Sequence, residues 1–396
     1  MQISQLGFGP VCDADSHLMP TRQWLADHID PAHRSAVEAV IPDWAPALEP
    51  YVAGAHQRFA QAGSRAAIMR DALSGPKSGL APGALDAGER GEVLDELGLD
   101  AQLVLSTFVM PRLLTSGLTS AQAAAVVTGH NRAMAAFAAA DRRLLPVAVL
   151  PFTSSAEMLA ELERCLADGI AAVQVPSDAY TGRAPSHVEF EPVWAALAAA
   201  RVPVICHIGG GSLLPAAFHR DGRRSGPPGE DGGALPVKDF AVSHQTAERF
   251  LTCLILDGVF ERHPELRCGV LEQGAGWVPA FLRKLDLAAY LFRRDPVVRT
   301  LSLTPTQYVR RAVRFTPFYF EDVGQLTREC GPQLLMFSTD YPHFEGGTDP
   351  VGRFHACFEA AGASESDRRR FFRDNFTDLI AAPVVVDSTA GGSSTP

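Results

Sequence analysis

Eight short apolar runs, separated by stretches of helical periodicity, most constrain what this chain can fold into. They span 10–13, 101–106, 144–151, 170–175, 202–207, 266–271, 313–318 and 334–338. Continuous apolar runs of this length read as strands buried on both faces, the pattern of a parallel sheet. Between them the spacing predicts helices over 120–140, 155–167, 190–200 and 245–260. A Ser-Ser pair with an early Glu opens the second of these, and Glu191-Pro192 opens the third. Eight strands alternating with helices favour an α/β fold, a (β/α)8 TIM barrel whose site lies at the C-terminal strand ends.

Two stretches break the alternation. Residues 42–90 are too long for a simple connection and hold a helix-like piece at 49–61, so a helical insertion after the first strand is expected to cover the substrate. Residues 213–237 are rich in Gly, Pro and charge and read as a mobile loop on the same face, or equally as surface disorder. The barrel is expected to occupy residues 1–386 as one domain, with 387–396 a disordered tail.

Composition narrows the partners. A net charge of −10 gives no electrostatic footprint for nucleic acid or an anionic membrane, which leaves a small-molecule substrate. The seven cysteines are scattered without a CxxC pair, which argues against a disulfide framework. The first residues lack the basic start and apolar core of a secretory signal, and no apolar stretch is long enough to span a bilayer. The cytoplasm is the expected location.

Three of the runs end in residues suited to holding a divalent cation. Asp15 and His17 follow the first; strand alternation puts both on one side, with Asp13 sharing that side but deeper. Taken alone, an Asp-x-His pair more often decorates a surface. His207 ends the fifth run before Gly209–Gly211 and, alone, reads as a hydrogen-bonded core histidine. Asp340 follows the eighth run in Ser-Thr-Asp-Tyr-Pro-His343, where a turn cap is the plain alternative. At the first, fifth and eighth strand ends of one barrel, the four converge on a metal site.

Together with Arg262-His-Pro-Glu-Leu-Arg267 leading into Val270-Leu-Glu-Gln-Gly-Ala-Gly-Trp-Val-Pro279, these segments resemble the amidohydrolase superfamily. More narrowly, they are similar to its amidohydrolase-related branch, which includes aminocarboxymuconate semialdehyde decarboxylases and dihydroxybenzoate decarboxylases. His130-Asn-Arg-Ala-Met, the 143–151 segment and Glu191-Pro-Val-Trp-Ala-Ala-Leu match as well, and the similarity runs from about Val11 to Ile380. The resemblance implies a barrel with one divalent metal on Asp15, His17, His207 and Asp340, and a homodimer. Zn²⁺ is the expected ion and Mn²⁺ the alternative. Two-metal relatives bridge their ions with a carboxylated lysine on the fourth strand. This chain has only Lys77, Lys238 and Lys284, so no lysine-bridged pair is expected.

One departure bears on the reaction. Decarboxylases of the branch carry a His where this chain has Glu272. A glutamate near a cation favours activating water over protonating a carbon, though a salt bridge or loop anchor fits it equally. The preferred reading is therefore a metal-dependent hydrolase of a small carbonyl or aromatic substrate, with Asp340 and Glu272 moving protons. Its alternative is a metal-dependent non-oxidative decarboxylase of an aromatic or unsaturated acid. A non-catalytic metal-binding barrel ranks last. His343 is expected to face the substrate or to donate to a ligand carboxylate. His244 is expected to orient substrate, or simply to pack. Arg132 either anchors an anion or is a solvated helix charge. Trp277 is expected under the site, and Cys206 is turned away from it.

Overall fold

The computed structural model describes residues 7, 9–42, 69, 72–73, 75, 77–151, 153–179, 182–209, 214–220 and 237–380. The helix-like piece at 49–61, most of the 213–237 loop and the 387–396 tail lie outside the described residues.

Among the described residues there are eight strands: β1 (Val11–Asp13), β2 (His17–Leu18), β3 (Leu99–Ser106), β4 (Leu144–Val149), β5 (Ala172–Gln174), β6 (Val204–His207), β7 (Cys268–Leu271) and β8 (Val313–Phe315). Every pairing is parallel, in the order β1-β3-β4-β5-β6-β7-β8, and β2 continues the first position against β3. The 334–338 run supplies the last stave, joined by single bonds instead of the ladder expected of a strand. The Phe315 N–H donates to Leu334 O and the Met336 N–H to Phe315 O, both at 2.8 Å. On the other side the Ala14 N–H donates to Phe337 O at 3.0 Å, which closes the ring onto β1. This is the α/β (β/α)8 barrel expected from the sequence.

Alternation along the strands builds two cores. Cys12, Ala14, Leu103, Leu105, Ile205 and Leu271 pack inside the barrel with Phe376 and Leu379 of the C-terminal helix Asn375–Ile380. Val11, Val104, Val173, Cys206 and Val270 face the surrounding helices, where Trp194 and Phe250 cover them. Cys206 is thus turned outward, as its strand position requires.

Helices form where caps and periodicity place them. Ser120–Ala138 and Ser155–Ala167 each begin with a full capping box, Thr119 with Gln122 and Ser154 with Glu157. The expected 245–260 helix is two, Gln245–Leu256 and Val259–Arg262, because Gly258 between them takes a left-handed φ of 77°. Helices Arg22–Ala26 and Val37–Val40 come before the 42–90 insertion, and Ala87–Leu97 starts at its end and leads into β3. No described helix is long and apolar enough to cross a membrane.

Candidate metal centre

A break in strand register creates the first half of the site. Asp13 lies opposite Gln102 and His17 opposite Leu105, so four steps along the first strand match three along its partner. The extra residue is a bulge, and a bulge reverses which way the following side chains point. Asp13, placed by simple alternation on the side of Asp15 and His17, is instead on the outer face. There its carboxylate accepts from Gln102 Nε2 at 2.8 Å, Thr339 Oγ1 at 2.6 Å and the Thr339 N–H at 2.9 Å. Burial pushes Asp13 up to about 6, opposed by those hydrogen bonds. Beyond the bulge, Asp15 and His17 turn into the barrel mouth.

Arg90 fixes that bulge from behind. It sits on the apolar face of Ala87–Leu97 with Val93 and Leu94 and is fully buried. Its guanidinium donates to Gly83 O at 2.8 Å, to Gln102 Oε1 at 3.0 Å, to Ser16 Oγ at 3.4 Å and to His17 O, and it lies 5.1 Å from the Tyr341 ring centroid. The opposite edge is zipped by the His17 N–H to Tyr341 O at 2.6 Å and the Asp340 N–H to Asp15 O at 2.9 Å.

Six of the side chains expected from the sequence meet here. His17 Nε2 is 3.4 Å from both Asp15 Oδ1 and Asp340 Oδ1. His207 Nε2 lies 3.5 Å from Asp15 Oδ1 and 3.2 Å from Glu272 Oε2, and Glu272 is 3.9 Å from His17 Nε2. His343 stacks on His17 with ring centroids 4.1 Å apart, its Nδ1 3.0 Å from Asp340 Oδ1 and its Nε2 3.3 Å from Thr107 Oγ1. Two overlapping groups have mutual ligand-atom distances within 4.8 Å: Asp15, His17, His207 and Glu272, and His17, Glu272, Asp340 and His343. Glu272 and Asp340 both have a φ of 51°, in the left-handed region that costs a non-glycine residue roughly 1–2 kcal/mol. A cavity of about 10 Å³ between Asp15, Glu272, Thr316 and Asp340 has room for one water or ion.

The residues fit a cation. Asp15 Oδ1, both His17 ring nitrogens, His207 Nε2 and Asp340 Oδ2 are buried without a hydrogen-bond partner. Buried polar atoms are normally satisfied, and with one nitrogen from each imidazole these four residues offer the donor types that a metal site uses. The His207 Nδ1–H donates to Ile208 O at 2.8 Å, which leaves the Nε2 lone pair free for a metal.

The electrostatics point the same way. Burial acts to raise Asp15 and Asp340, yet the imidazoles of His207 and His17, and of His343 and His17, hold these carboxylates below their usual range. Burial acts to lower His207 and His343, yet Asp15 carries His207 well above its ordinary value and Asp340 lifts His343 to about 9. Burial and Asp340 together raise Glu272. Three carboxylates thus demand positive charge, which the imidazoles carry on their own and a divalent ion would supply instead.

The remaining expected residues lie elsewhere. His244 precedes helix Gln245–Leu256 and stacks on Trp277 at 5.8 Å, while Trp277 donates to Gln273 O and Gly274 O beneath the Glu272 loop. Arg132 is exposed on Ser120–Ala138, between the buried Asn131 and Ala133, and lies outside the cluster. Sequence reasoning did not identify Arg90, Thr107, Thr316, Glu321 or Thr339. Of these only Arg90 carries a signal, a charge at an apolar position of a helix.

The family model described as Amidohydrolase matches residues 12–379. No curated protein matches the chain. Among solved structures, the amidohydrolase map2389c from Mycobacterium avium subsp. paratuberculosis K-10 is similar at 23% identity and a TM-score of 0.67, over 94% of this chain and 97% of that one. A 5-carboxyvanillate decarboxylase from Novosphingobium aromaticivorans DSM 12444, complexed with manganese, is similar at 19% identity and a TM-score of 0.62, over 96% and 98%. A dihydroxybenzoic acid decarboxylase from Polaromonas sp. JS666, with bound manganese and 2-nitroresorcinol, is similar at 18% and 0.61, over 94% and 97%. At these identities the structures speak for the shared barrel. With nearly the whole sequence matched by the family model, the chain belongs to the Amidohydrolase family.

Proposed function

We propose that this protein is a metal-dependent hydrolase acting on a small carbonyl or aromatic substrate through water. The observation that carries this reading is Glu272, whose carboxylate shares a water-sized cavity with Asp15 and Asp340 and reaches His207 at 3.2 Å. A divalent ion held by Asp15, His17, His207 and Asp340, proposed to be Zn²⁺ or else Mn²⁺, would supply Lewis acidity that lowers the pKa of water toward ~7. Glu272, with its proton affinity raised by burial, takes a proton from water and returns it to the leaving group. Asp340 orients the His343 imidazole, whose Nδ1 lies 3.0 Å from its carboxylate, toward negative charge developing on a substrate oxygen.

A second reading is non-oxidative decarboxylation. His343 favours it, because loss of CO₂ needs a proton delivered to carbon and an imidazole stands beside Asp340 and His17, and two of the similar structures are decarboxylases holding manganese. One experiment separates the two. Chelated protein, reloaded with Zn²⁺ or Mn²⁺, is assayed for hydrolysis of lactones and C–C diketones and for CO₂ release from hydroxybenzoate- and muconate-type acids. Metal-dependent hydrolysis that Asp340→Asn abolishes supports the first reading; CO₂ release alone transfers the site to the second. Full activity in Asp340→Asn refutes the assigned roles.

A further inference from the structure

Glu272 holds a conformation that its own residue type does not favour, and the 316–321 segment surrounds it with contacts suited to that conformation. The Glu272 N–H donates to Thr316 Oγ1 at 3.0 Å, and Thr316 is 1% exposed. Downstream, one carboxylate gathers three backbone amides. Glu321 Oε2 accepts from the Ala275 N–H at 2.9 Å and the Phe318 N–H at 2.7 Å, and Glu321 Oε1 accepts from the Gly276 N–H at 2.7 Å. Phe318 closes the remaining side. A Cβ on Gly274, which has a φ of +66°, would stand 2.7 Å from the Phe318 ring, and one on Gly276 would stand 2.9 Å from Glu321 Oε1. The loop carrying Glu272 is thus laid against the segment following β8 with its backbone donors already matched.

We propose that Thr316 and Glu321 are positioning residues that hold Glu272 in its left-handed conformation, aimed at His207. Thr316 lines the cavity beside Glu272, and both residues act on Glu272 through the backbone of the 272–276 loop. The proposal deepens the reading of Glu272 as the proton-transfer group and rests on it. A carboxylate is required at Glu321 because three donors share its two oxygens. A carboxamide would turn an NH₂ toward at least one of those amides and leave it without an acceptor. At Thr316 the hydroxyl is what matters, so serine keeps the function and valine of the same shape loses it.

The test uses the full chain loaded with Co²⁺, whose visible bands report on groups around the ion. The variants are Glu272→Gln, Thr316→Val, Glu321→Gln and the conservative Thr316→Ser. The expected result is that Thr316→Val and Glu321→Gln reproduce the spectral change of Glu272→Gln, whereas Thr316→Ser keeps the wild-type spectrum. Hydrogen exchange on peptides spanning 272–276 reads the same contacts without any metal. Thr316→Val and Glu321→Gln should exchange about tenfold faster or more, and Thr316→Ser should not. Wild-type spectra in both Thr316→Val and Glu321→Gln overturn the proposal, as does a spectrum indifferent to Glu272→Gln. Failure of Co²⁺ to bind refutes the metal reading instead, and the exchange result then decides this one: unchanged rates overturn it.

Discussion

Lowering the pH should destabilise this protein through one buried histidine outside the candidate metal centre. His130 is wholly buried, with Nε2 2.6 Å from Ser106 Oγ and Nδ1 2.9 Å from Asn131 Oδ1. Asn131 Oδ1 also accepts the Val149 N–H at 2.8 Å, which fixes it as an acceptor and makes Nδ1 the protonated nitrogen of a neutral ring. Burial brings His130 down to about 4, opposed by Asn131 and the more distant Glu161. An unfolded histidine titrates near ~6.5, so between that value and about 4 the unfolded chain binds a proton that the folded chain refuses. Stability is therefore fully present above pH 6.5 and is lost as the pH falls. From pH 7.5 to 5.0 the loss from this residue alone is ~2 kcal/mol, approaching ~3 kcal/mol at lower pH. Urea denaturation of the wild type and of His130→Gln at both pH values isolates it, because the other titrating groups are common to the two proteins. Wild type should lose ~2 kcal/mol more than the variant over this interval. Superimposable pH dependences would refute the assignment.

Two further perturbations probe how the site is held. Arg90→Met removes the fork that ties Gly83, Gln102, Ser16 and His17 together, and should cost ~3 kcal/mol or more in denaturation while weakening metal affinity measured by calorimetry; wild-type values for both would remove its role. Asp13→Asn keeps the shape but puts an NH₂ toward donors from Gln102 or Thr339, so thermal melting should reveal a loss of ~1–3 kcal/mol, and an unchanged melting temperature would contradict it.

Local pattern along the chain was enough for the barrel and for the residue types at its mouth. Apolar runs alternating with capped helices leave few other ways to bury both faces of each strand. The residue types at the strand ends, Asp15, His17, His207, Glu272, Asp340 and His343, are readable because each follows a local pattern of a few residues. The three-dimensional arrangement decided how those groups are aimed. Asp13 turned outward because a bulge, invisible to period-two alternation, lies between it and His17. Its partners Gln102 and Thr339 are 89 and 326 residues away, as Thr107 is 236 residues from His343 and Thr316 44 from Glu272. No local periodicity records such pairings. They exist only once the ring has closed and brought the first stave against the last, so the candidate ligands could be found by reading along the chain, and the side chains that hold them could not.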